Sequence, residues 1–265
     1  MDEHSLGQKL AAEFIGTGLL VFVGAGSVPA MILLTSEASP FSGAEVGMVA
    51  LAFGLIVIAM VYAVGKVSGC HINPAVTFAL AATKRFPWSG VPAYWGAQVA
   101  GAIAGACAIW ASFGSRVFDF GAGFGVVDFN HDVTSWGSAM FVEALATGIL
   151  IFTILGIVDT RSPEGWAGLV IGLVIVAIII TVGPLTNASI NPARALGPLI
   201  VSDLNGSFHN WTEQLLAYIP ANLGGAAIAA FAYDWIAKPR ILQRPIREAV
   251  TEPDRAEALE SPAHV

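Results

Sequence analysis

His71-Ile72-Asn73-Pro74-Ala75 and Ser189-Ile190-Asn191-Pro192-Ala193-Arg194 set the same asparagine-proline break inside strongly apolar sequence, once in each half of the chain. A bilayer core offers no water to unpaired backbone groups, so irregular backbone at that depth survives only inside protein or along a water-filled cavity. The same break made twice points to a pore.

Composition fixes the surroundings. Hydrophobic residues make up 55% of the chain and charged residues 12%, with a mean hydropathy of +0.72, which excludes an ordinary soluble domain. The formal charge of -7 lies largely in the tail and loops and reads as solvated surface, so nucleic acid is not an expected partner. Cys70 and Cys107 both fall in apolar sequence and give no disulfide framework. The polar segment Met1 to Lys9 precedes an apolar run too long for a signal-peptide core, so it is expected to remain uncleaved.

Six stretches are free of charge or carry one, and each is long enough to cross about 30 Å of hydrocarbon as helix. They lie near Leu10–Leu34, Val46–Gly65, Val91–Phe113, Trp136–Val158, Trp166–Gly183 and Gln214–Tyr233. Two shorter pieces, Pro74–Thr83 and Pro192–Ser202, reach only about 15 Å at 1.5 Å per residue. They read as half-helices. With the N-terminus inside, ten of the 12 basic residues fall on the cytoplasmic side, leaving Arg116 and Arg194 outside.

The two halves also repeat in detail. Glu13-x-x-x-Thr17-Gly18 is matched by Glu143-x-x-x-Thr147-Gly148, and Gly54-Leu55 precedes Asn73 by the same nineteen positions that separate Gly172-Leu173 from Asn191. Three spans and a half-helix thus occur twice, and an odd number of spans turns the second copy upside down. The expected fold is an all-α membrane protein of six transmembrane helices and two re-entrant half-helices in an inverted repeat. One channel domain is expected over 1–237, with repeats at about 8–113 and 136–237, followed by a disordered cytoplasmic tail at 238–265.

These residues carry a resemblance. From about Leu10 to Tyr233 the chain resembles the aquaporin (major intrinsic protein) family, with Ser68-Gly69-Cys70-His71-Ile72-Asn73-Pro74-Ala75-Val76-Thr77 and Asn191-Pro192-Ala193-Arg194 as its signatures. Within the family it is most similar to the archaeal-type members. The resemblance implies a passive channel, a homotetramer with one pore per subunit, and a multi-pass protein of the plasma membrane with both termini cytoplasmic.

The motif chemistry follows from the residues themselves. Proline suits the first position of a helix and asparagine just before it is a favoured cap, so Pro74-Ala75 and Pro192-Ala193 begin helices capped by Asn73 and Asn191. Two such N-termini meeting at the midplane place their positive dipole ends together and disfavour a passing cation. The two asparagine amides can then donate to one water oxygen. Carbonyls of Gly69, Cys70 and His71 on one side, and of Asn187, Ala188 and Ser189 on the other, are expected to supply a line of acceptors.

Arg194 stands two residues past its helix start, and an arginine at membrane depth is a functional candidate by default. By resemblance the outer constriction also holds Phe53, Ile179 and Ala188. Strict water channels typically have histidine where Ile179 falls. Glycerol facilitators have glycine there, tryptophan for Phe53 and aspartate for Ala195. The ring of Phe53, Ile179, Ala188 and Arg194 is accordingly wider than a water filter and narrower than a glycerol one.

Glu13 and Glu143 admit two readings. They form a proton relay, or they clamp the backbone N–H groups that the re-entrant loops expose; the second is favoured. Inverted symmetry sets Cys70 and Ala188 at equivalent places, each three residues before its asparagine. His71 either lines the vestibule and senses pH or packs the loop. The glycine-rich and aspartate-rich segment Gly114–Ser135 reads as an outer loop able to fold over the pore mouth.

No grouping of nucleophile, acid and base is found, and the five histidines lack metal-ligand spacing, so neither an enzyme nor a cofactor is expected. The leading function is a channel for water that excludes protons and ions and passes small neutral solutes such as glycerol, hydrogen peroxide and dissolved gases. A glycerol and small-solute facilitator is the alternative. A secondary transporter and a closed-pore structural tetramer rank lower.

Overall fold

Ser5 and Ser42 each open a helix with a reciprocal capping box, Ser5 with Gln8 and Ser42 with Glu45, and Ser135 caps a third through the Ser138 backbone N–H. A computed structural model of the chain describes residues 4–35, 42–115, 123–206 and 211–237. Eight helices and no strand occur among the described residues. The six long ones are α1 (Leu6–Thr35), α2 (Gly43–Ser68), α4 (Val91–Phe113), α5 (Trp136–Ile157), α6 (Ala167–Thr186) and α8 (Trp211–Ala237). The two short ones are α3 (Pro74–Ala82) and α7 (Pro192–Leu204). The anticipated tail at 238–265 lies outside the described residues.

At 26 residues α2 runs for about 39 Å, long enough to cross the hydrocarbon with some tilt. Outward-facing Leu55, Phe141 and Ile228 are each more than half exposed, a surface that only lipid or another apolar partner makes stable. Two of the long helices contain a π-helical turn, Leu20–Ala25 in α1 and Gln214–Tyr218 in α8.

Packing follows the sequence repeat. α1 lies on α4, α5 lies on α8, and α2 crosses α6 between the halves. Each half-helix leans on the other half's final span, α3 on α8 and α7 on α4. At the α2–α6 crossing Gly54 and Gly172 face one another. A Cβ on Gly54 would lie 2.7 Å from the Gly172 carbonyl oxygen, and one on Gly172 would lie 2.5 Å from that of Gly54 and 2.2 Å from Ile58 Cγ1. The backbones touch because both side chains are hydrogen.

One end of α8 gathers the connecting loops. Asp234 pairs with Arg85, which follows the first half-helix. Beside it, Tyr233 Oη donates to Asp159 Oδ2 at 2.9 Å, while Arg161 donates from Nε and Nη2 to the same carboxylate at 2.9 Å each. Those bonds, the arginine foremost, hold the Asp159 carboxyl below the usual carboxylate range against the opposing effect of burial.

Two outcomes are expected. Gly172→Ala forces the α2–α6 crossing apart and lowers stability by about 1–3 kcal/mol, read as a fall in the thermal midpoint in detergent; an unchanged midpoint would contradict the close crossing. A carboxylate with a depressed pKa stabilises the fold above its unfolded value of about 3.9 and loses that contribution as pH falls further. Asp159→Asn should therefore melt below wild type at neutral pH, with a gap that shrinks below about pH 4. A gap of constant size from pH 7 to pH 3 would show that Asp159 acts through packing alone.

Candidate functional site

Between Ser68 and Pro74 the backbone turns back on itself through left-handed residues, Gly69 (φ 90°), Cys70 (47°) and Ile72 (42°), and the second loop repeats the pattern at Asn187 (59°), Ala188 (46°) and Ile190 (45°). Left-handed geometry at a β-branched isoleucine costs on the order of 1–3 kcal/mol and persists only where the surroundings impose it. Two carboxyl groups impose it. Glu13, fully buried in α1, accepts from the backbone N–H of His71 (2.9 Å) and Ile72 (2.7 Å), from Ser68 Oγ (2.6 Å) and from Gln98 Nε2 (2.8 Å). Glu143 in α5 accepts from the backbone N–H of Ser189 (2.9 Å) and Ile190 (3.0 Å), from Thr186 Oγ1 (2.6 Å) and from Asn222 Nδ2 (3.0 Å).

The match extends further. Tyr94 Oη donates to the Ser68 carbonyl and Tyr218 Oη to the Thr186 carbonyl, both at 2.9 Å. Thr17 and Thr147 each return a hydroxyl to the carbonyl of the glutamate one turn before, at 2.7 and 2.8 Å. Four polar residues on α4 and α8 thus complete the two clamps, and sequence reading passed over all of them. The signal was present as Tyr94-x-x-x-Gln98 and Tyr218-x-x-x-Asn222, the same four-residue spacing in the third span of each half.

With the loops held, each asparagine is fixed at both ends of its amide. Asn73 Oδ1 caps α3 by accepting from Ala75 N at 2.8 Å, and Asn191 Oδ1 caps α7 by accepting from Ala193 N (3.0 Å) and Arg194 N (3.2 Å). Each Nδ2 reaches across to the opposite loop, Asn73 to the Ile190 carbonyl at 2.8 Å and Asn191 to the Ile72 carbonyl at 2.9 Å. An amide nitrogen carries two hydrogens, so one N–H per asparagine remains after the cross-bond. Both asparagines line one cavity, and both half-helix N-termini end at it.

The cavity has a volume of about 50 Å³. At about 10–15 Å³ per water that is room for a short file of molecules. One wall is apolar, from Val57, Val61, Leu150, Ile154, Ile171 and Ile175; the other follows the two loops. Phe53, Ile179, Ala188 and Arg194 all line it, together with Cys70, His71 and Ser189. Gly69 and Asn187, also expected to present carbonyls, are not among its lining residues; they are the left-handed caps that end α2 and α6. Ile72 and Ile190 line the cavity in their stead, and their carbonyls serve the asparagine amides.

Arg194 is 3% exposed, which places it inside the protein and not on a lipid-facing surface. Its Nη1 donates to the Gly125 carbonyl at 2.6 Å, its Cζ lies 5.1 Å from the centroid of the Phe53 ring, and its Nε has no partner within the protein. The outer loop therefore does reach the cavity mouth, through a backbone carbonyl that no residue pattern in Gly114–Ser135 announces. His71 is buried with Nδ1 3.1 Å from Thr77 Oγ1 and its ring against those of Phe86 and Tyr94, at 5.0 and 5.1 Å between centroids. No cluster of metal-ligating residues occurs among the described residues.

Six apolar helices, two half-helices meeting end to end, and a narrow cavity with oriented donors define a membrane channel. Residues 1–233 match the major intrinsic protein family, and the chain belongs to that family. It is 36% identical over 251 residues to "Aquaporin AqpM" of Methanothermobacter marburgensis, covering 88% of this chain and 98% of that protein. It is 39% identical over 238 residues to "Aquaporin Z" of Bradyrhizobium diazoefficiens, covering 87% and 94%. Among solved structures, the aquaglyceroporin from Plasmodium falciparum superposes with a TM-score of 0.78 at 27% identity, covering 89% of this chain and 98% of its own. The protein is thus a multi-pass integral membrane channel and not an enzyme.

The clamp has a direct consequence for stability. In Glu143→Gln the side-chain nitrogen faces donors, leaving buried N–H groups unpaired at a cost of about 3 kcal/mol. The expected result is a lower thermal midpoint, with water flux per folded molecule close to wild type. An unchanged midpoint with lost flux would move Glu143 from the clamp to the conduction path.

Proposed function

We propose that the protein conducts water in single file, excludes protons and ions, and passes small neutral solutes such as glycerol, hydrogen peroxide and dissolved gases. The observation that carries this reading is the double fixing of Asn73 and Asn191. Each amide is held by its own helix and by the opposite loop, on side chains that line one cavity. A water accepting from both has its oxygen occupied and its hydrogens directed outward, so it does not relay a proton along the file. The N-termini of α3 and α7 and the guanidinium of Arg194 add positive potential at the same passage, which opposes cations.

The solute range rests on the outer ring. Phe53, Ile179, Ala188 and Arg194 combine one fixed cation with three apolar side chains, and the unpartnered Arg194 Nε offers a donor to a hydroxyl group. With isoleucine in place of a polar ring residue, an alkyl backbone has an apolar surface to slide along. The names of the relatives agree with both halves of this reading, aquaporins among the sequences and an aquaglyceroporin among the structures. In the same reading the molecule assembles as a homotetramer in the plasma membrane with both termini cytoplasmic. Residues 1–237 form its single channel domain.

The test is stopped-flow light scattering on proteoliposomes, with shrinkage in an impermeant osmolyte set against re-swelling in glycerol. Wild type should show both above bare lipid. Ile179→His should cut glycerol re-swelling by about tenfold while water shrinkage changes by less than about threefold. Equal glycerol flux in the two proteins would remove Ile179 from the filter, and absence of any flux in wild type would leave a closed structural protein.

A further inference from the structure

Phe53 needs something behind it. Its ring is 6% exposed, lines the cavity, and has the Arg194 guanidinium carbon 5.1 Å from its centroid. One edge of the ring lies against Gly24 of α1. A Cβ built on Gly24 would lie 2.4 Å from Phe53 Cδ1, 2.5 Å from Cε1 and 2.8 Å from Cγ. Those distances are about 1 Å inside normal carbon contact. The phenyl edge occupies the place where any other residue at position 24 would carry its first side-chain carbon.

Local backbone chemistry presents Gly24 in this way. It belongs to the π-helical turn Leu20–Ala25, in which Gly26 N bonds the Val21 carbonyl five residues back at 3.2 Å. Ser27 Oγ donates to the Gly24 carbonyl at 2.6 Å, giving a side-chain partner to the wound-out turn. Such turns are rare and cluster at functional positions. Leu20, at the start of the turn, lines the same cavity.

We propose that Gly24 is a specificity-determining positioning residue, which sets how far the Phe53 ring withdraws from the channel axis and so sets the size of solute that passes. The proposal rests on the reading of Phe53 as part of the outer constriction. Gly24 touches no permeant molecule; it acts through the ring it recesses. A methyl group at position 24 displaces the ring toward the lumen, because the α1 backbone on the other side does not yield. The bore narrows there without any change in the residues that line it.

The experiment compares wild type, Gly24→Ala, Phe53→Ala and the double variant in proteoliposomes, with water and glycerol fluxes each normalised to folded protein. Gly24→Ala should lower glycerol flux by about tenfold while water falls by less than about threefold. In the Phe53→Ala background, which removes the ring and should raise glycerol flux, Gly24→Ala should change neither flux. That loss of effect distinguishes ring positioning from general damage to α1. Equal losses of water and glycerol, or an undiminished effect of Gly24→Ala without the ring, would overturn the proposal. If Phe53→Ala leaves glycerol flux unchanged, Phe53 is no part of the constriction and both readings fall. Should Gly24→Ala alone not fold, folding of the double variant with the fluxes of Phe53→Ala supports the contact, and a double variant that also fails to fold overturns it.

Discussion

Two buried carboxyl groups make the rest of this structure feasible. A re-entrant loop at the middle of a membrane exposes backbone N–H groups where no water can reach them, and each unpaired group costs free energy comparable to a lost hydrogen bond. Glu13 and Glu143 take up the N–H groups of His71 and Ile72 and of Ser189 and Ile190. Left-handed geometry at Ile72 and Ile190 is the conformation that aims those N–H groups at one carboxyl and leaves the carbonyls for the opposing asparagine. The strain is local and the compensation sits one helix away.

From that anchor the conduction path follows in order. Fixed loops fix the starts of α3 and α7; fixed helix starts fix Asn73 and Asn191; and the cross-bonds tie the two halves together at the cavity. The Gly54–Gly172 crossing brings α2 and α6 close enough for Val57, Val61, Ile171 and Ile175 to form a smooth wall. A channel of this kind divides its labour between a face of oriented hydrogen-bonding groups and a face that binds nothing, so a solute is guided without being held.

Much of this was legible because the chain states it twice. The asparagine-proline pairs, the glutamate-threonine-glycine triplets and the glycine-leucine spacing recur in register, and repetition separates a motif from an accidental turn. Less legible was whatever depends on contacts across the fold. Tyr94 with Gln98 and Tyr218 with Asn222 repeat just as faithfully, yet tyrosine and amide residues in a span look like interface or packing residues until the helix is seen against Glu13 or Glu143. The left-handed turn at Ile72 and at Ile190, whose carbonyls serve the asparagine amides, was hidden for a different reason. Propensity steers left-handed backbone toward glycine and asparagine, whereas here the clamp overrides it at isoleucine. The grip of the Gly125 carbonyl on Arg194 uses no side chain on the loop.

The central claim is that clamped, cross-braced amides let water through while breaking its proton relay. It is tested most directly by measuring both fluxes on one preparation: osmotic shrinkage by light scattering, and dissipation of an imposed pH gradient by an entrapped pH-sensitive dye, in proteoliposomes and matched empty vesicles. The expected result is water permeability well above the empty vesicles with proton leakage equal to theirs. Proton flux that rises with protein content alongside water flux would contradict the account, because it would show a continuous relay through the cavity that Asn73 and Asn191 line.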